Sequence, residues 1–178
     1  ATAQDAVSPT VTASIEAGTN DCTITSSAMD KPGTDLIGVT GGLDPLKTVV
    51  PTFTTKSIQQ SSPLNGVLNT LTVTLVTDVD LAATSTVTIA GLTGTQTADA
   101  ASLAITSTSS LLGTTAGWTK DSGTLVLTVG GTATTAGSDV VVTMVVTNKA
   151  TAQDAVSPTV TAQISSALSD GSITSSAM

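Results

Sequence analysis

The sequence predicts an all-β fold, an antiparallel β-sandwich with Greek-key-like connections and about nine short strands in one domain. Three observations carry this prediction. Apolar and hydroxyl side chains alternate with period two over many short runs, the signature of half-buried strands. Those runs are bounded by Gly and Asp clusters, which supply the positive φ and local hydrogen bonds of tight turns. Thr and Ser make up about a third of the 178 residues, and the apolar share is carried by Val, Leu, Ile and Ala, with Phe53 and Trp118 the only aromatics. Thr and Val suit a pleated, half-buried surface.

From the N-terminus, residues 9–15 set Val11, Ala13 and Ile15 against Thr10, Thr12 and Ser14. Shorter or less regular candidates follow at 23–27 and 52–58. Residues 71–76 read LTVTLV, 86–90 read TVTIA, 102–106 read SLAIT and 124–129 read TLVLTV, with a further candidate at 117–120 around Trp118. Residues 139–148 are apolar on both faces over part of their length, which places them centrally in a sheet. The turns between these runs include Asp78-Val79-Asp80, Asp121-Ser122-Gly123 and Gly130-Gly131. Residues 29–49 carry Pro32, Gly33, Gly38, Gly41, Gly42 and Pro45 and read as a long loop; such loops pack on their own domain or form an interface. Helix has little support.

The chain also repeats itself. Residues 1–13, ATAQDAVSPTVTA, return unchanged at 150–162, and ITSSAM at 24–29 returns at 173–178. At a constant offset of 149, 21 of 29 aligned positions are identical without a gap. Residues 1–149 are therefore expected to form one complete repeat and 150–178 to begin the next. With no initiator Met and an end in mid-motif, the sequence is expected to continue at both sides, so the lack of a leader at Ala1 says nothing of targeting. A 149-residue unit can bury a core without staples.

Thirteen acids against five lysines give a formal net charge of −8, with no Arg and no His, which argues against nucleic acid and anionic membranes as partners. No apolar run reaches bilayer-spanning length; the nearest is VVVTMVV at 140–146. Without His there is no Ser-His-Asp or Cys-His arrangement, and zinc and haem sites lose their usual ligand. Cys22 becomes Gly171 in the next copy and Glu16, the sole Glu, becomes Ser165, so neither is a general catalytic group. Cys22 reads as a tolerated small side chain, with a bond to another chain as the alternative. No catalytic or cofactor-binding residues are assigned, and no enzyme is expected.

One metal candidate stands. Asp78 and Asp80, with Asp99 or Asp139 brought near by folding, could offer oxygens to Ca²⁺, against the plainer reading of turn capping. Thr/Ser clusters at 106–110 and 132–135 are candidate O-glycan sites.

The run PTFTTKSIQQSSPLNGVLNTLTVTLVTDVDLAATSTVTIAGLTGTQTADAASLAITS, closing with GTLVLTV and VVVTMVVTNKATAQDAVSPTVTASI, resembles repeats in very large secreted or cell-surface proteins of unicellular algae and other protists. More loosely it looks like the Ig-like stalk repeats of bacterial adhesins. The resemblance implies extracellular β-sandwich repeats, and near-identical repeats joined end to end are expected to form a structural unit of a secreted or cell-surface filament, stalk or fibre. The alternative is an adhesin-type module contacting glycans or other cells, with 29–49 as its binding loop. Its implied partners are neighbouring copies of the same repeat.

How copies join depends on the strand at 158–164, which opens on Pro158 and closes on Ile164. It either opens the next sandwich as an ordinary first strand or pairs with an open edge of the preceding one. A single covalent chain favours the first arrangement, and a fibre of separate subunits the second.

Overall fold

The computed structural model describes residues 2–16, 22–108, 111–165 and 171–178. The chain divides into two compact units, Ala1–Val50 and Pro51–Met178. All regular structure among the described residues is β, in eleven strands that pair antiparallel. The all-β, antiparallel class expected from the alternation therefore holds.

The first unit holds β1 (Thr10–Ile15) and β2 (Cys22–Ala28), a two-stranded hairpin. Met29 N donates to Pro9 O at 2.9 Å and extends the pairing by one step. Residues 30–50 contain no strand. They are tied down by a bridge between Leu36 and Val39, by pairing of Gln4 with Thr48, and by Val7 N donating to Pro45 O at 3.1 Å. Ile37 and Leu46 both lie at positive φ, 47° and 59°, where a branched or bulky side chain is strained.

The second unit contains β3 (Phe53–Gln60), β4 (Leu68–Thr77), β5 (Thr86–Ala90), β6 (Ala100–Ser107), β7 (Thr115–Thr119), β8 (Thr124–Thr128), β9 (Val140–Thr147), β10 (Thr159–Ile164) and β11 (Gly171–Ala177). In space they run β11-β10-β5-β8-β7-β6-β9-β4-β3. The core follows from the alternation. Val87 and Ile89 of β5 face Leu127 and Leu125 of β8, and Val142 and Met144 of β9 face Val73 and Leu71 of β4. All eight are buried, whereas the intervening Thr72, Thr74, Thr86 and Thr88 are only half-buried. The doubly apolar β9 lies between β6 and β4, an interior position.

β6 uses its two halves on different neighbours. Ala100, Leu103 and Ala104 pair with β7, while Ile105, Thr106 and Ser107 pair with β9, and the register shifts between Ala100 and Leu103. An irregular strand that changes partner lets a sheet turn a corner without leaving main-chain groups unpaired.

Two polar details fix the register of the row. Asn69, on the apolar face of β4, is 2% exposed. Its Oδ1 accepts from Ser61 N at 3.0 Å and Ser62 N at 3.1 Å, while its Nδ2 donates to Gln60 Oε1 at 2.9 Å and Asn148 Oδ1 at 2.8 Å. One carboxamide thereby joins the ends of β3, β4 and β9. At the β7–β8 turn, Gly123 has φ 58°, and a Cβ there would overlap the Leu92 backbone, whose N–H donates to Gly123 O at 2.9 Å.

Candidate strand-docking site

The segment that recurs in the sequence occurs twice in the structure, in two environments. In its second occurrence, β10 lies along β5 with Thr159↔Ala90, Val160↔Ile89, Ala162↔Val87 and Gln163↔Thr86 in register. Of the two arrangements open to residues 158–164, this is the edge position, next to strands from residues 51–149. The main chain and one face of the strand do the joining. Val160 is 0% exposed, Ala162 1%, Ile164 5% and Ile173 of β11 3%. At the end of the strand, Ser165 N donates to Ser85 Oγ at 3.0 Å, and Ser85 is itself fully buried.

The linker before β10 is seated as well. Gln153 Nε2 donates to Thr93 O at 3.0 Å, and Asn65 Nδ2 donates to Ala150 O at 2.8 Å. Gly94, at φ 90°, lies so close to the Gln153 carboxamide that any Cβ there would collide with it. Pro158 lies at ordinary contact distance from Gly91 and is buried. Beneath the linker lies an open cleft of about 410 Å³, lined by Ile58, Leu64, Leu71, Leu92 and Val146 together with Asn69 and Asn148.

In its first occurrence the same segment makes the same hairpin. Thr10↔Ala28, Val11↔Ser27 and Ala13↔Ile24 repeat Thr159↔Ala177, Val160↔Ser176 and Ala162↔Ile173, with the irregularity at the same place. Its apolar face is uncovered: Val11 is 54% exposed, Ile15 46% and Ile24 56%. The four residues buried at the second site, Val160, Ala162, Ile164 and Ile173, are matched identically by Val11, Ala13, Ile15 and Ile24. The eight differences lie elsewhere, among them Ser14 for Gln163, Glu16 for Ser165 and Cys22 for Gly171. Cys22 is exposed on β2.

The acidic candidates are committed to the backbone. Asp78 Oδ1 accepts from Thr52 N at 2.7 Å and its Oδ2 from Thr52 Oγ1 at 2.8 Å. Asp80 Oδ1 accepts from Ala136 N at 2.8 Å and Asp99 Oδ1 from Lys120 N at 2.7 Å. These three carboxylates thus reach three separate segments, and among the described residues no three His, Cys, Asp or Glu side chains gather into a metal-sized group. Millimolar Ca²⁺ is therefore expected to leave the thermal midpoint unchanged, since binding at Asp78 and Asp80 would first break their capping bonds. A calcium titration followed by circular dichroism checks this, and a rise of about 5 °C would reinstate the site.

The loop at 29–49 is held in a similar way. Asp44 Oδ1 accepts from Gly33 N at 2.7 Å, Asp35 Oδ1 from Gly41 N at 2.9 Å, and Lys47 Nζ donates to Thr40 O at 2.6 Å. Leu43 and Leu46 are exposed. Of the Thr/Ser clusters, Thr132 and Thr135 are exposed, whereas Thr134 is buried and its Oγ1 accepts from Leu81 N at 2.9 Å, which removes it as a glycan acceptor. Ser109 and Ser110 lie outside the described residues.

Set against known proteins, the chain matches no family model and no curated protein.

Proposed function

We propose that the chain is a structural tandem-repeat unit of an extracellular filament, stalk or cell-surface fibre, its strands arranged as an Ig-like, Greek-key sandwich and its work mechanical rather than catalytic. One observation carries this reading: the start of a repeated segment is built into the sheet made by the residues before it, β10 beside β5. A segment used in this way ties one repeat to the next by main-chain pairing and apolar contact, without a disulfide. The resemblance to large algal and protist surface proteins points the same way, as does the Thr/Ser-rich, His-free composition.

Adhesion through glycans is less well served, because sugar recognition favours aromatic faces and both aromatics are buried, Phe53 at 6% exposure and Trp118 at 3%. Trp118 is further committed by its Nε1 donating to Thr97 O at 3.1 Å. Chains carrying two, three and four consecutive repeats, compared by electron microscopy, test the proposal. Particle length is expected to rise by the same step for every repeat added. Collapsed particles of irregular dimensions, or selective retention on a glycan array, would overturn it.

A further inference from the structure

We propose that the uncovered apolar face of β1–β2 is a docking surface whose occupant is the β5 edge of another copy of this repeat, engaged as β10–β11 engages β5 here. The occupant is identified by the chain itself. The hairpin sequence presented at residues 10–28 is the one that, at 159–177, lies along β5. Every side chain that the second hairpin buries there is the same in the first, Val11 for Val160, Ala13 for Ala162, Ile15 for Ile164 and Ile24 for Ile173.

The departures respect that surface. Gln163, which Ser14 replaces, points away from it and is exposed. Ser165, which Glu16 replaces, meets Ser85 through its main chain, N to Oγ at 3.0 Å, a contact any side chain permits. Gln4, the counterpart of Gln153, has the same carboxamide to offer a Thr93 carbonyl, and here donates to Leu46 O at 3.0 Å instead.

An edge strand of this kind gives affinity through its ladder of N–H and C=O groups and specificity through the alternate side chains that fill the groove. The partner is thus an all-β edge with a Val87 and Ile89 pair facing inward, not a peptide of arbitrary sequence. The β5 edge of this same chain is already taken by β10, so the first hairpin is left for a different copy. The inference rests on the tandem-repeat part of the proposed function and is independent of cellular location.

Two experiments test it. In the first, residues 150–178 of the full chain are replaced by the sequence of residues 1–29, and unfolding is followed through Trp118. The midpoint is expected to match that of the unaltered chain; a fall to the value of residues 1–149 alone would overturn the proposal. In the second, residues 51–149 are joined ahead of Ala1, and amide hydrogen exchange is compared with that of the unaltered chain. Amides of β1 are expected to slow by on the order of 100-fold or more, reaching the protection of β10. The pair Val11→Asp and Ile15→Asp should abolish that gain while leaving β10 protected. Fast exchange at β1 with β10 still protected would overturn the docking and spare the tandem-repeat reading, whereas fast exchange at both would count against each.

Discussion

Chains ending at Val146-Thr147-Asn148-Lys149 are expected to unfold at markedly lower denaturant than the 178-residue chain, with a loss of roughly 3–6 kcal/mol in the second unit. Truncation removes Val160, Ile164 and Ile173 from full burial, and each such side chain is worth about 1.5–3 kcal/mol before the ordering of the hairpin is offset against it. It also bares the β5 ladder, an unpaired edge that invites association. Urea unfolding followed through Trp118 is the appropriate measurement, because this single Trp reports on the second unit alone. Equal midpoints for the two chains would mean that β10–β11 adds nothing to the sheet.

The second large effect is expected from Asn69→Leu. The replacement has almost the same size and would look favourable on an apolar face, yet it strips partners from the Ser62 N–H and the Asn148 side chain at the ends of β3 and β9. Leaving such groups without partners costs about 1–3 kcal/mol each, so a loss of roughly 2–4 kcal/mol is expected, visible as a lowered thermal midpoint by circular dichroism. Asn69→Asp, which keeps the acceptor for Ser61 and Ser62 but sets a carboxylate oxygen against Gln60 Oε1 and Asn148 Oδ1 in a buried site, should lose at least as much as Asn69→Leu. A neutral or stabilising Leu would show that packing at this end of the row outweighs the network.

The β10–β11 hairpin and Asn69 mark the limits of what the amino-acid order discloses. Alternation found β4, β5 and β8 because each has one face in the core, and the period itself names the face, whereas β9 was legible as a run apolar on both faces. It could not find the role of Asn69, which occupies an apolar position of the pattern in VLNTLTV and reads as an interruption. Its partners, at positions 60, 61, 62 and 148, converge only after folding. Nor does period two say which neighbour a strand chooses. Residues 158–164 bury Val160, Ala162 and Ile164 whether they open a new sheet or close an old one, so both arrangements fit the same letters.

The divided pairing of β6 was hidden for a related reason, since its change of partner depends on an irregularity between Ala100 and Leu103 that SLAIT does not announce. Among the candidate sites, the Asp residues were legible as turn formers. What they cap, Thr52, Ala136 and Lys120, was set by tertiary structure.

The placing of β10 beside β5 also imposes an order of events on biosynthesis. β5 leaves the ribosome at residues 86–90, but the strand that covers it is not made until residues 159–164. At about 5–20 residues per second the nascent chain waits roughly 4–15 s with this ladder bare. The second unit is therefore completed by residues translated after the rest of it. During that interval the edge is presented by Thr86, Thr88 and Ala90 alternating with Val87 and Ile89, a short strand of only five residues. Brevity is one of the ways in which a β-sheet discourages a stranger from pairing with it, and here it guards the place for the hairpin still in the tunnel.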